Sequence, residues 1–227
     1  MKILGFDTST EACSVGLSID GEMTSRFELT PRRHTECVLP WSDALLEQAQ
    51  CTKKDLDAIA VGIGPGAFTG VRLAVSLAQV MALGLSIPVI PISTLACMAQ
   101  ACQHDGPIMV LIDARMDECY VGYYQKIEGI VQKIADEQLL APENIQLPTS
   151  GNWIGVGSGF GSYAERIAKT VLSQMLCVDA KALPQPEALL QLAMAEFSSG
   201  NACAPELIEP TYLRDKVALT IKERENK

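Results

Sequence analysis

The sequence predicts an α/β protein built from two halves of similar order. Apolar runs with the two-residue alternation of strands are followed by segments with the 3.6-residue spacing of helices. Each half opens with strands joined by tight turns and continues with strands and helices in alternation. The chain has 227 residues, which is enough for two small domains. We therefore predict an N-terminal α/β domain over 1–101 and a C-terminal α/β domain over 102–227.

The first half is predicted to begin with a three-stranded antiparallel meander. Asp20-Gly21 is a strong signal for the turn between its second and third strands. Two further strands and three helices follow, and the apolar residues of the helices recur at helical spacing. The predicted strands are 3–6, 13–19, 23–29, 59–63 and 89–92, and the predicted helices are 35–50, 71–85 and 94–103.

The second half repeats this order without a similar sequence. A charged loop at 113–118 joins its first two strands, and Glu128-Gly129 marks the next turn. The predicted strands are 108–112, 119–125, 130–134 and 152–156, and the predicted helices are 163–174 and 187–197.

The composition argues against several classes of protein. Apolar residues make up 48% and charged residues 20% of the chain, which is typical of a folded core. The 18 basic and 27 acidic residues give a net charge of −9, which argues against a free-standing nucleic-acid-binding protein.

The eight cysteines form no C-x-x-C pair and the first residues lack a long apolar run, so we expect a reduced cytoplasmic protein. Gly84, Pro88 and Pro91 interrupt the apolar segment 73–92, which favours a buried helix and strand over a membrane span.

Two loops in the first half contain residue types that bind phosphate. The turn 7–10 follows the first strand, and its carboxylate and hydroxyl groups are of the kind that hold phosphate and a hydrated Mg²⁺. The glycine-rich loop 64–70 joins a buried strand to a helix, where backbone N–H groups attract anions. It is not a P-loop, because no lysine follows its last glycine. A hydrogen-bonded turn and a rigid strand-to-helix connection are the alternative interpretations of these loops.

Other motifs that carry chemistry are incomplete. The glycine series 155–161 resembles a dinucleotide-binding loop, but about 48 residues follow Asp179, too few for the remaining strands of such a fold. The two histidines, His34 and His104, lie far apart in the sequence, and neither an H-E-x-x-H nor a G-x-S-x-G motif occurs. We therefore predict no catalytic residue and no metal site in this chain.

The predicted helix 71–85 is apolar around most of its circumference. Arg72, Ser76 and Gln79 form one narrow polar stripe, whereas a surface helix usually buries a face of about 100°. We hypothesise that this helix and the helix 35–50 lie side by side and dock onto another subunit. The alternative is that other helices of the same chain cover them. The predicted interface residues are Val38, Trp41, Leu45, Val71, Arg72, Ala74, Val75 and Ala78.

Five short segments distributed along nearly the whole chain carry distinctive motifs: Ile3–Thr10, His34–Glu36 with Leu39-Pro40, Gly64–Arg72, Asp113–Arg115 with Asp117, Glu118 and Tyr120, and Pro210–Arg214. In order and spacing, these segments are similar to the bacterial TsaB (YeaZ) family. Those at 64–72 and 113–120 are the most specific. The resemblance implies an actin/sugar-kinase-like fold, in which two α/β domains with five-stranded mixed sheets enclose a cleft.

The resemblance also implies a function in making threonylcarbamoyladenosine next to the anticodon of tRNAs. A family member is expected to be a non-catalytic subunit that binds the transferase TsaD through its two N-terminal helices and activates it. The ATPase TsaE would be a third subunit, tRNA would be contacted only through the complex, and the chain alone would form a homodimer.

The resemblance implies no cofactor of the chain's own, with ATP and metal bound by the partner subunits. The loop residues Asp7, Thr8, Ser9, Gly64 and Gly66 would then be a vestigial phosphate-binding site of catalytic relatives. The alternative function on the same fold is an autonomous ATP-binding, kinase-like enzyme or ATPase that uses these residues.

Overall fold

The computed structural model describes residues 1–31 and 33–214 and contains two five-stranded mixed sheets. The first sheet has the order β3-β2-β1-β4-β5, with β1 antiparallel to β2 and parallel to β4. The predicted meander at the start of the chain is confirmed. The strands are β1 (Lys2–Asp7), β2 (Ala12–Ile19), β3 (Glu22–Leu29), β4 (Ala58–Gly62) and β5 (Val89–Ile92).

Two long helices, α1 (His34–Gln48) and α2 (Phe68–Leu85), cover one face of this sheet. Side chains alternate along β1, so Leu4 and Phe6 pack under these helices whereas Ile3 joins the core on the opposite face. α2 is the one helix in the described residues that is long and apolar enough for a membrane span. One side of α2 packs against β4, which identifies it as a core helix of this lobe.

The second sheet has the order β10-β9-β6-β7-β8. Its outer face packs against two short helices, α4 (Ser158–Ser162) and α5 (Lys169–Leu172), around the fully buried Trp153. The strands are β6 (Ile108–Arg115), β7 (Glu118–Ile127), β8 (Ile130–Leu140), β9 (Trp153–Val156) and β10 (Met175–Asp179).

A middle layer of two helices, α3 (Thr94–Ala101) and α6 (Pro186–Ser198), lies between the sheets. α6 comes from the second half of the sequence but packs on the first sheet, whereas α3 comes from the first half and packs on β6, β7 and β8. The first sheet with α1, α2 and α6 is called the first lobe, and the second sheet with α3, α4 and α5 the second lobe. The boundary predicted after residue 101 falls between the two sheets, but one apolar core runs through both lobes.

The buried Gln100 of α3 links the layers by hydrogen bonds. Its Nε2 donates to the carbonyl oxygen of Gly129 and to Oε1 of Gln191, each at 2.9 Å, and its Oε1 accepts from the N–H of Val131 at 2.9 Å. Every hydrogen-bonding atom of this amide is thus used inside the protein, as burial of a polar group requires.

The predicted helix over 163–174 is wrong. Most of that segment forms turns, and only the four residues of α5 are helical. Tyr163 donates its hydroxyl to Asp113 at 2.9 Å and Arg166 pairs with Glu143 at 2.6 Å, and these long-range contacts hold the chain in a non-helical path. The edge strand β10, which follows, has no counterpart among the predicted strands.

Candidate functional site

The turn after β1 is buried, and its polar groups are bonded to one another. The Asp7 carboxylate accepts hydrogen bonds from the N–H of Ser9 at 2.7 Å, from the Ser9 hydroxyl at 2.6 Å and from the Thr94 hydroxyl at 2.9 Å. Burial raises the pKa of Asp7, and these hydrogen bonds partly offset that rise. The Thr8 hydroxyl donates to the carbonyl oxygen of Gly70 at 2.7 Å. The side chains of Asp7, Thr8 and Ser9 therefore all have partners within the protein.

The glycine-rich loop lies directly against this turn. A Cβ atom at Gly66 would collide with the Ser9 carbonyl oxygen, so the loop leaves no room for even one added carbon. Gly64 has a φ of +90° and accepts a 2.8 Å hydrogen bond from the N–H of Thr94. A phosphate would have to displace part of this packing in order to enter. The structure brings together the five residues predicted to form the vestigial site, Asp7, Thr8, Ser9, Gly64 and Gly66.

Most of the predicted interface residues face the core of the first lobe and are unavailable to a partner. Trp41 is half-buried and Arg72 is exposed, so these two alone keep surface for a contact. The reason is that α1 and α2 turn their small and branched residues towards their own sheet, which then covers them. The six residues that the structure removes from the predicted interface are Val38, Leu45, Val71, Ala74, Val75 and Ala78.

The opposite side of these helices carries large apolar side chains that the protein leaves exposed. Phe68, Val80 and Leu83 of α2 are 43%, 69% and 55% exposed, and Leu39 of α1 is 39% exposed. These four residues are called the outer face. For Val80 and Leu83, the sequence contained a signal of this exposure. Both continue the stripe 69, 72 and 76, and the three- and four-residue spacing of these positions marks one side of a helix.

The charged loop between β6 and β7 is ordered by its first residue. The Asp113 carboxylate accepts hydrogen bonds from the N–H of Arg115 at 2.8 Å and from the hydroxyls of Tyr163 at 2.9 Å and Ser162 at 3.2 Å. Partial burial alone would raise the pKa of Asp113, but these hydrogen bonds and the Arg115 guanidinium lower it below its ordinary value. The Arg115 side chain itself is exposed.

The other motifs have structural roles. Gly157 has a φ of +108°, and a Cβ atom there would collide with the Leu111 carbonyl oxygen, so this member of the glycine series allows close packing. The described residues contain no group of three or more His, Cys, Asp and Glu side chains that could hold a metal ion. All eight cysteines lie in the described residues and are free, and burial raises the pKa of Cys13 and Cys119 to about 12.

Comparison with known proteins identifies the family. The family model of TsaD, tRNA N6-adenosine threonylcarbamoyltransferase, matches residues 27–222. The tRNA threonylcarbamoyladenosine biosynthesis protein TsaB of Escherichia coli is 42% identical over 226 residues, which cover 96% of each chain. The chain belongs to the TsaB family. The TsaB of Haemophilus influenzae is 37% identical over 96% of this chain and 95% of its own.

A solved structure of a TsaB relative supports the fold. YeaZ from Pseudomonas aeruginosa is 40% identical, with a TM-score of 0.88 over 93% of this chain and 99% of that chain. A second structure from that organism, described as a protein with similarity to peptidase YEAZ, has a TM-score of 0.89. Together with the two mixed sheets, these likenesses confirm the predicted actin/sugar-kinase-like α/β fold and the resemblance to the TsaB family.

Proposed function

We propose that this chain binds a TsaD-type transferase and holds it in the form that transfers threonylcarbamoyl to the adenosine next to the anticodon of tRNAs. Its membership of the TsaB family supports the pathway, because the relatives are named for threonylcarbamoyladenosine biosynthesis. The match to the transferase model over 27–222 relates this chain to the transferase itself, and so supports a TsaD-type partner of the same fold. Two chains of one fold can pair through equivalent helices about a pseudo-twofold axis.

The observation that carries the proposal is the outer face of α1 and α2. Leaving large apolar side chains in water is unfavourable, by about 1.5–3 kcal/mol for a fully exposed Val, Leu or Phe. Three such residues project from α2, and the same helix presents the exposed Arg72 beside them. An apolar centre flanked by arginine and aromatic residues is the composition of a protein–protein interface.

We assign no catalytic step to this chain. The best candidate for nucleotide chemistry is Asp7, but its carboxylate accepts hydrogen bonds from the hydroxyls of Ser9 and Thr94. Among its described residues, no three metal-binding side chains lie close enough together to hold an ion. In the proposal, therefore, TsaD and TsaE supply the ATP and metal sites.

The proposal extends to the assembly. TsaE joins the pair of TsaD and this chain as the third subunit, and in the absence of TsaD two copies of this chain cover the outer face as a homodimer. The net charge of −9 supports contact with tRNA through the partners, because phosphate groups repel an acidic surface. The complex works in the cytoplasm, where the tRNA substrates are found.

Light scattering coupled to gel filtration tests the binding step. The chain is mixed with a purified TsaD-type transferase, and the mass of the complex is measured for wild type, Val80→Glu and Leu176→Glu. Val80 and Leu176 are 69% and 64% exposed, but Leu176 lies on β10 in the other lobe and is the matched control. A buried unpaired carboxylate opposes association strongly, so Val80→Glu is expected to abolish the heterodimer and Leu176→Glu to leave it intact.

Two results would count against the proposal. Equal binding by wild type and Val80→Glu would remove the outer face from the interface. ATP hydrolysis by the chain alone, lost in Asp7→Ala, would favour the autonomous ATPase instead.

A further inference from the structure

The end of the described chain returns to the first lobe and runs along α2. Cys203 forms a pair of 2.9 Å backbone hydrogen bonds with Val89 of β5. The buried Ile208 enters the core of the first lobe, and its carbonyl oxygen accepts a 3.1 Å hydrogen bond from Gln79 of α2. The N–H of Thr211 donates to the Ile63 carbonyl oxygen at 2.8 Å. Residues 205–214 are called the strap.

The strap contacts the beginning of α2 through Tyr212. Its hydroxyl accepts a 2.6 Å hydrogen bond from Nε of Arg72. The Arg72 guanidinium also lies 3.8 Å from the centre of the Phe68 ring, and the rings of Phe68 and Tyr212 are 6.1 Å apart. Phe68 belongs to the outer face, so these contacts join this part of the strap to that surface.

Two residues later, the strap reaches the second lobe through Arg214. The guanidinium donates to the carbonyl oxygens of Ala114 and Arg115, each at 3.0 Å, and pairs with the Glu118 carboxylate at 2.8 Å. The Arg214 side chain is 13% exposed, which makes it a fixed anchor rather than a solvated surface charge.

The turn that Arg214 binds has an unusual backbone. Arg115, Met116 and Asp117 have φ values of +63°, +55° and +63°, so three successive residues with side chains are left-handed. Such residues rarely adopt this conformation and keep it only where the surroundings hold them. The two carbonyl groups that Arg214 binds lie at the start of this turn.

We propose that the strap couples α2 to the β6–β7 turn. Arg72 and Tyr212 fix the position of the strap on the first lobe, and Arg214 is the positioning residue that holds the left-handed turn of the second lobe. A change at the start of α2 therefore changes the conformational freedom of residues 113–119. The effect of a bound transferase on this turn rests on the proposed function, whereas the coupling between α2 and the turn is a property of the isolated chain.

Hydrogen–deuterium exchange of the full chain tests the coupling. Tyr212→Phe removes only the hydroxyl that Arg72 binds, and is expected to speed exchange in 113–119 about two- to tenfold, the factor for one ordinary hydrogen bond. Arg214→Lys keeps the charge but loses the paired donors, and is expected to speed it at least about tenfold. Tyr123→Phe is the matched control, because its hydroxyl bonds to the Gln146 carbonyl oxygen at 2.6 Å, away from the strap.

Faster exchange in the first two variants, with wild-type exchange in Tyr123→Phe and unchanged exchange in β9, supports the coupling. Acceleration by Arg214→Lys alone would show an anchor without coupling to α2 and overturn the proposal, as would no change in either variant. A second arm adds a TsaD-type transferase, which is expected to slow exchange in 113–119 for wild type but less for Tyr212→Phe. Failure of the transferase to bind at all would count against the proposed function and leave the isolated-chain result standing.

Discussion

The hydroxyl of Thr94, the first residue of α3, donates a 2.9 Å hydrogen bond to the Asp7 carboxylate at the end of β1. β1 lies in the middle of the first sheet, whereas α3 packs on the second sheet. The contact therefore ties the turn after β1 to the other lobe. A carboxylate in such a turn is of the kind that holds a hydrated metal ion, but that of Asp7 helps to hold the two lobes together.

Thr94→Val removes this tie with little change in shape. We expect the free energy of unfolding to fall by about 1–3 kcal/mol, because the buried Asp7 carboxyl group loses a hydrogen-bond partner. Urea unfolding of the wild type and the variant measures this change in the free energy of unfolding. Thr24→Val on the exposed edge strand β3 is the control and should change the value by less than about 0.5 kcal/mol. A Thr94→Val variant as stable as this control would show that the tie contributes nothing.

Asp7→Asn tests the electrostatic cost of the buried carboxylate. Because the pKa of Asp7 is raised in the folded state, the folded protein binds the proton of this carboxyl group more tightly than the unfolded chain does. The stability that this proton adds to the wild type is complete below the ordinary aspartate pKa and is lost as pH rises through the raised value. The stability of Asp7→Asn relative to wild type should therefore increase as pH rises from about 4 to 7. Unfolding curves across this range give the difference. A difference that stayed constant or decreased with pH would contradict the assignment.

Gly66→Ala and Gly84→Ala should have opposite effects on stability. An added Cβ at Gly66 meets the rigid Ser9 backbone, so we expect a loss of about 3 kcal/mol. At Gly84, near the end of α2, the added carbon would point into open space, and alanine should stabilise the helix by about 0.5–1 kcal/mol. Thermal unfolding of both variants measures the contrast. Equal stability of the two would mean that the glycine loop is not packed on the turn.

The order of strands was predictable because its signals are local. Asp20-Gly21 adopts the turn that the dipeptide predicts, with φ of +52° and +93°, and β2 and β3 pair from Ala12 with Leu29 to Ile19 with Glu22. The exchange of α3 and α6 between the sheets had no such signal. It depends on side chains distant in sequence, such as Gln100 and Gln191, finding one another in the middle layer.

The buried side of α2 could not be assigned from its sequence. Apolar residues surround the helix, so the pattern identifies an unusual helix without saying which residues meet the sheet. Ala74 and Ala78 were among the predicted interface residues, but in the structure the helix presents them to its own core. The polar residue Arg72 was the better guide, because it marks the exposed stripe to which Val80 and Leu83 also belong.

The most direct test of the central claim is the rate at which a TsaD-type transferase modifies tRNA in the presence of this chain. The transferase, ATP, a threonylcarbamoyl donor and tRNA are held constant, and wild type, Val80→Glu or Leu176→Glu is titrated in. We predict little product without the chain, full activity with wild type and Leu176→Glu, and none above background with Val80→Glu. Full activity without this chain, or with Val80→Glu, would contradict the account.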